Sequence, residues 1–290
     1  MSATLRLASI GGSNCYHAKQ FAGIFNSEDW TRHARDNNFA PMPAAARVVK
    51  VWDENCTYAE DLARNFGIEK VCASLDEAVE GVDGAILVDD CIPAQHRWAP
   101  ALIERNVPFF LDKPMAPTYR EALALVELAR QRKALMFSSS AIRYSRELTS
   151  LLPRIRDEGG VKIAFAQCHN GRLVFYGIHP LELIVTAAGP GIVKVVNHGE
   201  GLRNVVCLTW NNGCEAVLLV DERVRSISGI LSTAKAAHVV HVTDSRYYYW
   251  HLMRAFVQMI LTGEIPVPWD ETLDLIRVLD EAERQGKSTQ

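Results

Sequence analysis

Two short stretches of the sequence carry residue types that can move a proton. The first is "VPFFLDKPMA", residues 107–116, where an apolar run breaks into Asp112, Lys113 and Pro114. Proline biases the residue before it toward extended backbone, so Lys113 is held in one direction at a strand end. Aimed into a cleft beside a cationic ligand, that lysine has its pKa lowered by burial and by the like charge. An amine near neutrality can give or take a proton. Aimed outward, it is an ordinary exposed lysine. The second stretch is "FYGIHPLELIVTAAGPG", which holds Phe175, His179 and Glu182. Pro180 suits the first helical position and Gly189 a helix stop, so the pattern predicts His179 as the N-cap. The positive end of a helix disfavours imidazolium by about 0.3–1 kcal/mol. A neutral histidine can then serve as a base. The competing reading is a histidine that only caps its helix. Glu182 follows three residues on, on the same face.

The elements that must position these residues alternate in the first half of the chain. Strands are expected at 4–10, 46–53, 70–74, 84–90, 107–111 and 134–139, with helices between them, the clearest at 57–67 and 118–133. Ser74 reads as an N-cap and Gly67 as a stop. Residues 26–45 read as a polar loop or short insertion containing two prolines. Strands alternating with helices predict a doubly wound parallel sheet. The second half differs. "VKIAFAQCHN", "GIVKVVNHG", "VVCLTWNN", "EAVLLVDE", "SISGILS" and "HVVHVTD" are strands with few helices between them, which predicts a mostly antiparallel sheet. Met253, Phe256, Val257, Ile260 and Leu261 follow helical spacing up to Gly263, and a last helix runs from about 270 to 285. The expected division is 1–138 for a nucleotide-binding domain and 139–290 for a substrate and oligomerisation domain.

A doubly wound sheet binds ligands beyond the C-terminal ends of its strands. The first strand ends in "SIGGSNCYH", so Gly11, Gly12, Ser13 and Asn14 can approach a pyrophosphate at the next helix N-terminus. The spacing is not G-x-G-x-x-G, and a plain strand-to-helix turn is the competing reading. The second strand ends in Asp53, which can bind a ribose 2′-hydroxyl and would repel a 2′-phosphate; this favours NAD over NADP. The usual separation is about 20 residues, and the 26–45 segment roughly doubles it. Asp53 could instead cap the loop into the next helix. The fourth strand runs into Asp89, Asp90 and His96, which could edge a cleft or form a solvated turn; no metal site is expected there. Arg143 and Tyr144 follow the sixth strand, and the aromatic residues 247–250 read as packing.

Bulk properties exclude several classes. The 290 residues allow two cores. A net charge of −3 gives no bulk electrostatic attraction to nucleic acid or anionic membrane. No apolar run approaches the roughly 20 residues of a membrane span, and the N-terminus has no signal-peptide pattern. Seven cysteines at 15, 56, 72, 91, 168, 207 and 214, with no C-x-x-C, argue against a disulfide framework or a zinc site. A reduced cytoplasmic setting is expected.

Together, "LDKPMA", "GIHPLEL" and the closing "FVQMILTGEIPVPWDETLDLIRVLDEA" resemble the glucose–fructose oxidoreductase / inositol dehydrogenase (Gfo/Idh/MocA) family. "LDKP" stands where that family has Glu-Lys-Pro, and "GIHPLEL" where it has Gly-x-His. The resemblance implies an α/β chain. Its N-terminal domain would be a Rossmann doubly wound parallel sheet, and its C-terminal α/β domain would carry an open, mostly antiparallel sheet. It implies an NAD-dependent dehydrogenase or reductase acting on a CH–OH group of a sugar, polyol or related molecule, and a homodimer or homotetramer. Lys113 would contact substrate hydroxyl and cofactor, with Asp112 and Pro114 beside it; the Lys113–Pro114 bond is often cis in relatives. His179 would be the proton acceptor. His96, Arg143, Tyr144, Phe175 and Glu182 are carried as substrate contacts. Many relatives have an aspartate where this chain has Phe175. A redox-inactive nucleotide-binding protein and a cofactor-free sugar-binding protein are the alternatives, since fold does not establish function.

Overall fold

A computed structural model describes residues 3–88, 97–170 and 173–287. In chain order the first half holds β1 (Leu5–Ile10), α1 (Tyr16–Asn26), α2 (Glu28–Asp36), β2 (Ala46–Trp52), α3 (Cys56–Phe66), β3 (Lys70–Val71), α4 (Leu75–Val79), β4 (Gly84–Leu87), α5 (Ala99–Glu104), β5 (Phe109–Leu111), α6 (Tyr119–Arg132) and β6 (Met136–Phe137). A 3₁₀ turn, Ala141–Tyr144, leads into α7 (Arg146–Thr149), α8 (Leu152–Asp157), β7 (Ile163–Cys168), α9 (Leu173–Tyr176) and α10 (Ile178–Ala188). Then come β8 (Ile192–Asn197), β9 (Asn204–Trp210), β10 (Glu215–Val220), β11 (Ser228–Ser232), β12 (Ala237–His241), α11 (Ser245–Thr262) and α12 (Trp269–Lys287).

The chain divides into two compact units. The first takes residues 1–116, 123–138 and 249–268, and the second takes 117–122, 139–248 and 269–290. One of the crossings between the units falls at 138/139. Residues 117–122 and 249–268 lie in the unit opposite to the one their sequence position suggests. The reason is packing: Phe256 and Ile260 of α11 press on Gly84 of β4, leaving no room there for a side chain.

Among the described residues the first unit holds a sheet in the order β3-β2-β1-β4-β5-β6, every neighbouring pair parallel. This is the doubly wound order, with the reversal point between β1 and β4. The inner strands β4 and β5 are buried throughout, which is why they show no polar alternation. The second sheet runs β12-β11-β7-β10-β9-β8. It is antiparallel except for the parallel β7–β10 pair. Its strands alternate buried and open positions, so one face packs on α10 and α12 and the other turns outward.

One expectation fails inside the first unit. Residues 28–36 are helical rather than loop. Ser27 caps this helix by accepting from the Asp29 N–H, and Trp30 and Ala34, one turn apart, are its buried residues. Charged residues dominate the segment, so two apolar positions gave too weak a period to read. The following stretch is tied to α11: the Trp250 indole donates to the Ala40 carbonyl at 2.8 Å and Arg254 to that of Pro41 at 3.0 Å.

Candidate functional site

In the first unit the glycine turn, the end of β2 and the end of β5 converge at the C-terminal edge of the sheet. Gly11 and Gly12 both have positive φ, +69° and +49°, a conformation glycine adopts without steric cost. A side chain at Gly11 would run into the Trp98 ring and lie 2.9 Å from the Val88 carbonyl oxygen. The turn delivers the chain into α1, whose N-cap is Cys15; its Sγ accepts from the Ala18 N–H. The Ser13 N–H donates to Asp53 Oδ2 at 2.7 Å, and Asp53 Oδ1 accepts from Asn55 N at 2.8 Å. The 26–45 segment therefore lengthens the sequence between glycines and acid without separating them in space. Asn14 is exposed and accepts from Lys19 Nζ. The Ser13 hydroxyl is buried and has no partner among the described residues. Glycines at positive φ, a carboxylate at the end of β2 and an unpaired hydroxyl on the turn suit a dinucleotide's phosphates and ribose.

At the end of β5, Asp112 and Lys113 are 2% and 4% exposed, so Lys113 is not a surface lysine. The Lys113–Pro114 bond is cis. His17, from the first turn of α1, donates through Nδ1 to Asp112 Oδ2 at 2.5 Å. The rings of Phe21 and Tyr249 enclose that imidazole, with centroids 5.8 and 5.5 Å away. Burial pushes the Asp112 carboxyl up. His17 and Lys113 beside it outweigh that, and hold it below the usual carboxylate range. His17 was not read from sequence; it lies 95 residues from its partner. Trp98 was also missed. Its ring packs edge-on against Trp52 at 5.3 Å and carries Arg97 over its face, while Arg97 pairs with Glu54. The expected residues Asp89 and His96, with Asp90, lie outside the described residues.

In the second unit the histidine is displaced from its expected position. Gly177 is the N-cap of α10, so His179 is the second residue of the helix and Pro180 the third. The cause is the join to α9: the Gly177 N–H donates to the Leu173 carbonyl, and a side chain at 177 would meet that carbonyl and Leu279. Pro180 still falls in the first turn, where a missing N–H costs nothing. His179 keeps the positive end of the helix. Its Nδ1 lies 2.7 Å from Ser140 Oγ, and Tyr176 packs edge-on at 5.7 Å. The Phe175 ring packs on Tyr176 at 5.1 Å.

Arg143 and Glu182, expected at substrate, are engaged with each other. The Arg143 guanidinium donates to Glu182 at 2.5 Å and also to Glu271 of α12. Glu182 is fully buried, and its Oε2 has no partner among the described residues. Burial pushes Glu182 above the usual carboxylate range; Glu271 adds to this and Arg143 only partly offsets it. Arg143 is desolvated too, yet the two carboxylates push its pKa up. Tyr144 is held above the ordinary phenol range, chiefly by burial. Among the described residues no group of three or more His, Cys, Asp or Glu side chains could hold a metal, and no helix is long and apolar enough to cross a membrane.

Comparison with known proteins agrees with this geometry. Residues 10–139 match the profile of the oxidoreductase family with an NAD-binding Rossmann fold, GFO_IDH_MocA. No curated protein matches the sequence. Among solved structures, GenD2 from gentamicin A biosynthesis, in complex with NAD, superposes with a TM-score of 0.83 at 16% identity, covering 100% of this chain and 96% of that one. A putative myo-inositol dehydrogenase from Sinorhizobium meliloti gives 0.83 at 17%, covering 99% and 98%. UDP-N-acetylglucosamine 3-dehydrogenase GnnA from Acidithiobacillus ferrooxidans gives 0.81 at 15%, covering 99% of both. At such identities the likeness shows the fold, in which both sheets have their counterpart. Residues 10–139, which hold most of the parallel sheet, thus match the Gfo/Idh/MocA oxidoreductase family, described as having an NAD-binding Rossmann fold.

Proposed function

We propose that the protein is an NAD-dependent dehydrogenase or reductase that moves a hydride between nicotinamide and a hydroxyl-bearing carbon of a sugar, polyol or related small molecule. The observation that carries this reading is Lys113, buried at the end of β5 on an NAD-binding sheet beside the His17–Asp112 pair. A buried lysine at a strand end has little structural use and a clear chemical one. The inositol and amino-sugar substrates named for the similar structures support a polyhydroxylated ring as the substrate class.

In this reading Gly11, Gly12, Ser13 and Asn14, with the first turn of α1, hold the pyrophosphate. Asp53 holds the adenosine ribose; each of its oxygens keeps a second lone pair for a hydroxyl donor. Asp112, Lys113 and Pro114 border the nicotinamide. When bound, the cofactor supplies the hydride chemistry. The chain supplies orientation and proton handling, with Lys113 of the first unit and His179 of the second each assigned as a proton-handling group. Calorimetric titration with NAD⁺, NADH, NADP⁺ and NADPH tests the reading. The NAD pair is expected to bind, and Asp53→Ala to weaken it by about ten- to a hundredfold, the cost of losing a charged hydrogen bond. Failure of all four to bind would overturn it.

The outward face of the second sheet is the surface proposed for assembly. The register places Val239, Ile230, Phe165, Val217, Cys207 and Val196 in one row across its six strands. Val239 is 72% and Ile230 43% exposed. An apolar row of that length suits a second copy of the same face. Light scattering on Ile230→Glu/Val239→Glu is expected to show a monomer where the parent chain is a dimer or tetramer, with NAD binding kept. A monomeric parent chain would remove the proposal.

A further inference from the structure

The oxidoreductase reading makes His179 a proton acceptor, but its surroundings assign the proton differently. Ser140 is fully buried. As the cap of the 3₁₀ turn, its Oγ accepts from the Ile142 N–H at 3.2 Å. A serine hydroxyl also carries one hydrogen that must find an acceptor when buried. Among the described residues that acceptor is His179 Nδ1, at 2.7 Å. The Ile142 N–H polarises the hydroxyl and strengthens it as a donor.

We infer that Ser140 is a positioning residue that donates to His179 Nδ1 and so fixes the neutral imidazole with its proton on Nε2. The two ring nitrogens are complementary: once one accepts, the other carries the hydrogen. The placement of Ser140 is secured twice over. Its hydroxyl meets α10 at His179, and it accepts the Ile142 N–H of its own 3₁₀ turn. Glu182, also on α10, is held by Arg143 of the same 3₁₀ turn, and Arg143 by Glu271. Within this unit Tyr176 packs on the imidazole, with His169 behind it, and the Glu182–Arg143–Glu271 cluster is built on the same helix, the 3₁₀ turn and α12.

The consequence for the reaction rests on the oxidoreductase reading. A neutral Nε2–H ring cannot take a proton at Nε2; it donates a hydrogen bond to the substrate oxygen.

The test is ¹⁵N-histidine spectroscopy of the full chain without substrate, at a pH where His179 is neutral. The His179 signals are assigned by their loss in His179→Gln. The expected spectrum has a protonated Nε2 and an unprotonated, hydrogen-bonded Nδ1. Ser140→Ala should remove the Nδ1 hydrogen-bond signature and Ser140→Thr should restore it. A protonated Nδ1 in the parent protein overturns the inference, whether or not turnover is found. A protonated Nε2 in a protein that oxidises nothing leaves the tautomer standing and removes only the dehydrogenase reading. Where turnover exists, His179→Gln can offer an N–H but cannot accept a proton. It is expected to keep kcat within about tenfold of the parent, while His179→Ala loses about 10²–10³-fold. Equal loss in both variants would return His179 to the role of base.

Discussion

Lys113→Met is expected to lower turnover by about 10²–10⁴-fold, the span of general acid–base catalysis, and to leave NAD⁺ affinity within about tenfold. Methionine keeps much of the length and apolar stem of lysine but has no proton to exchange. Lys113 is only 4% exposed, so solvent cannot easily replace the lost amine. Folding should survive, because Asp112 keeps His17 as a charge partner, so no buried carboxylate is left unpaired. The change does remove one of the charges that keep Asp112 ionised. His17 remains at 2.5 Å, and its attraction and hydrogen bond come ahead of Lys113 among the influences that lower this carboxyl. The sign follows: Asp112, depressed in the fold, contributes stability above its unfolded pKa and loses it as pH falls through the folded one. Without Lys113 that loss should begin at a higher pH. The checks are steady-state kinetics on a polyol and sugar panel, calorimetry with NAD⁺, and acid unfolding. Full activity in Lys113→Met would reduce the lysine to a strand cap and remove the core of the proposed function.

Arg143→Ala should be the most damaging substitution to stability, costing about 3–5 kcal/mol, as expected when one partner of a buried ion pair is deleted. Glu182 is fully buried and Glu271 is 17% exposed at its side chain. Removing the guanidinium leaves two carboxylates facing each other in a medium that solvates neither well. Glu182 is already held above the usual range, and it would be driven further up and become protonated. Thermal unfolding of the second unit is expected to fall by on the order of 10 °C. The combined change Arg143→Met/Glu182→Leu should recover most of the loss, since an apolar replacement of both partners removes the desolvation cost along with the attraction. A loss below about 1 kcal/mol in Arg143→Ala would mean that water reaches the cluster and screens it as at a surface.

Much of this arrangement is legible in the sequence because it depends on local rules. The inner strands are read from apolar runs between turn residues. The two sheets are told apart by whether helices or turns join the strands. Gly67, Ser74, Gly189 and Gly263 are read as punctuation because each answers a backbone requirement at its own position. Lys113 stands out because proline restricts its neighbour. His179 stands out because it opens a helix, although the sequence places the cap two residues late. The join between α9 and α10, which sets Gly177 as the cap, depends on Leu279, about a hundred residues away.

What only the tertiary structure decides is which polar groups meet. His17 reaches Asp112 across 95 residues, Ser140 reaches His179 across 39, and Arg143 reaches Glu271 across 128. None of these pairs leaves a period, a motif or a spacing in the chain, because each partner sits on a different element brought alongside by core packing. The same holds for 28–36, a helix set by Trp30 finding a buried place beside Gly23 rather than by its own charged sequence. Residue types and backbone constraints thus determined the fold and singled out the two residues proposed for the chemistry. The polar partners of His17, Ser140 and Arg143 were decided by packing between elements distant in sequence, since a hydrogen bond needs its donor and acceptor within about 3 Å.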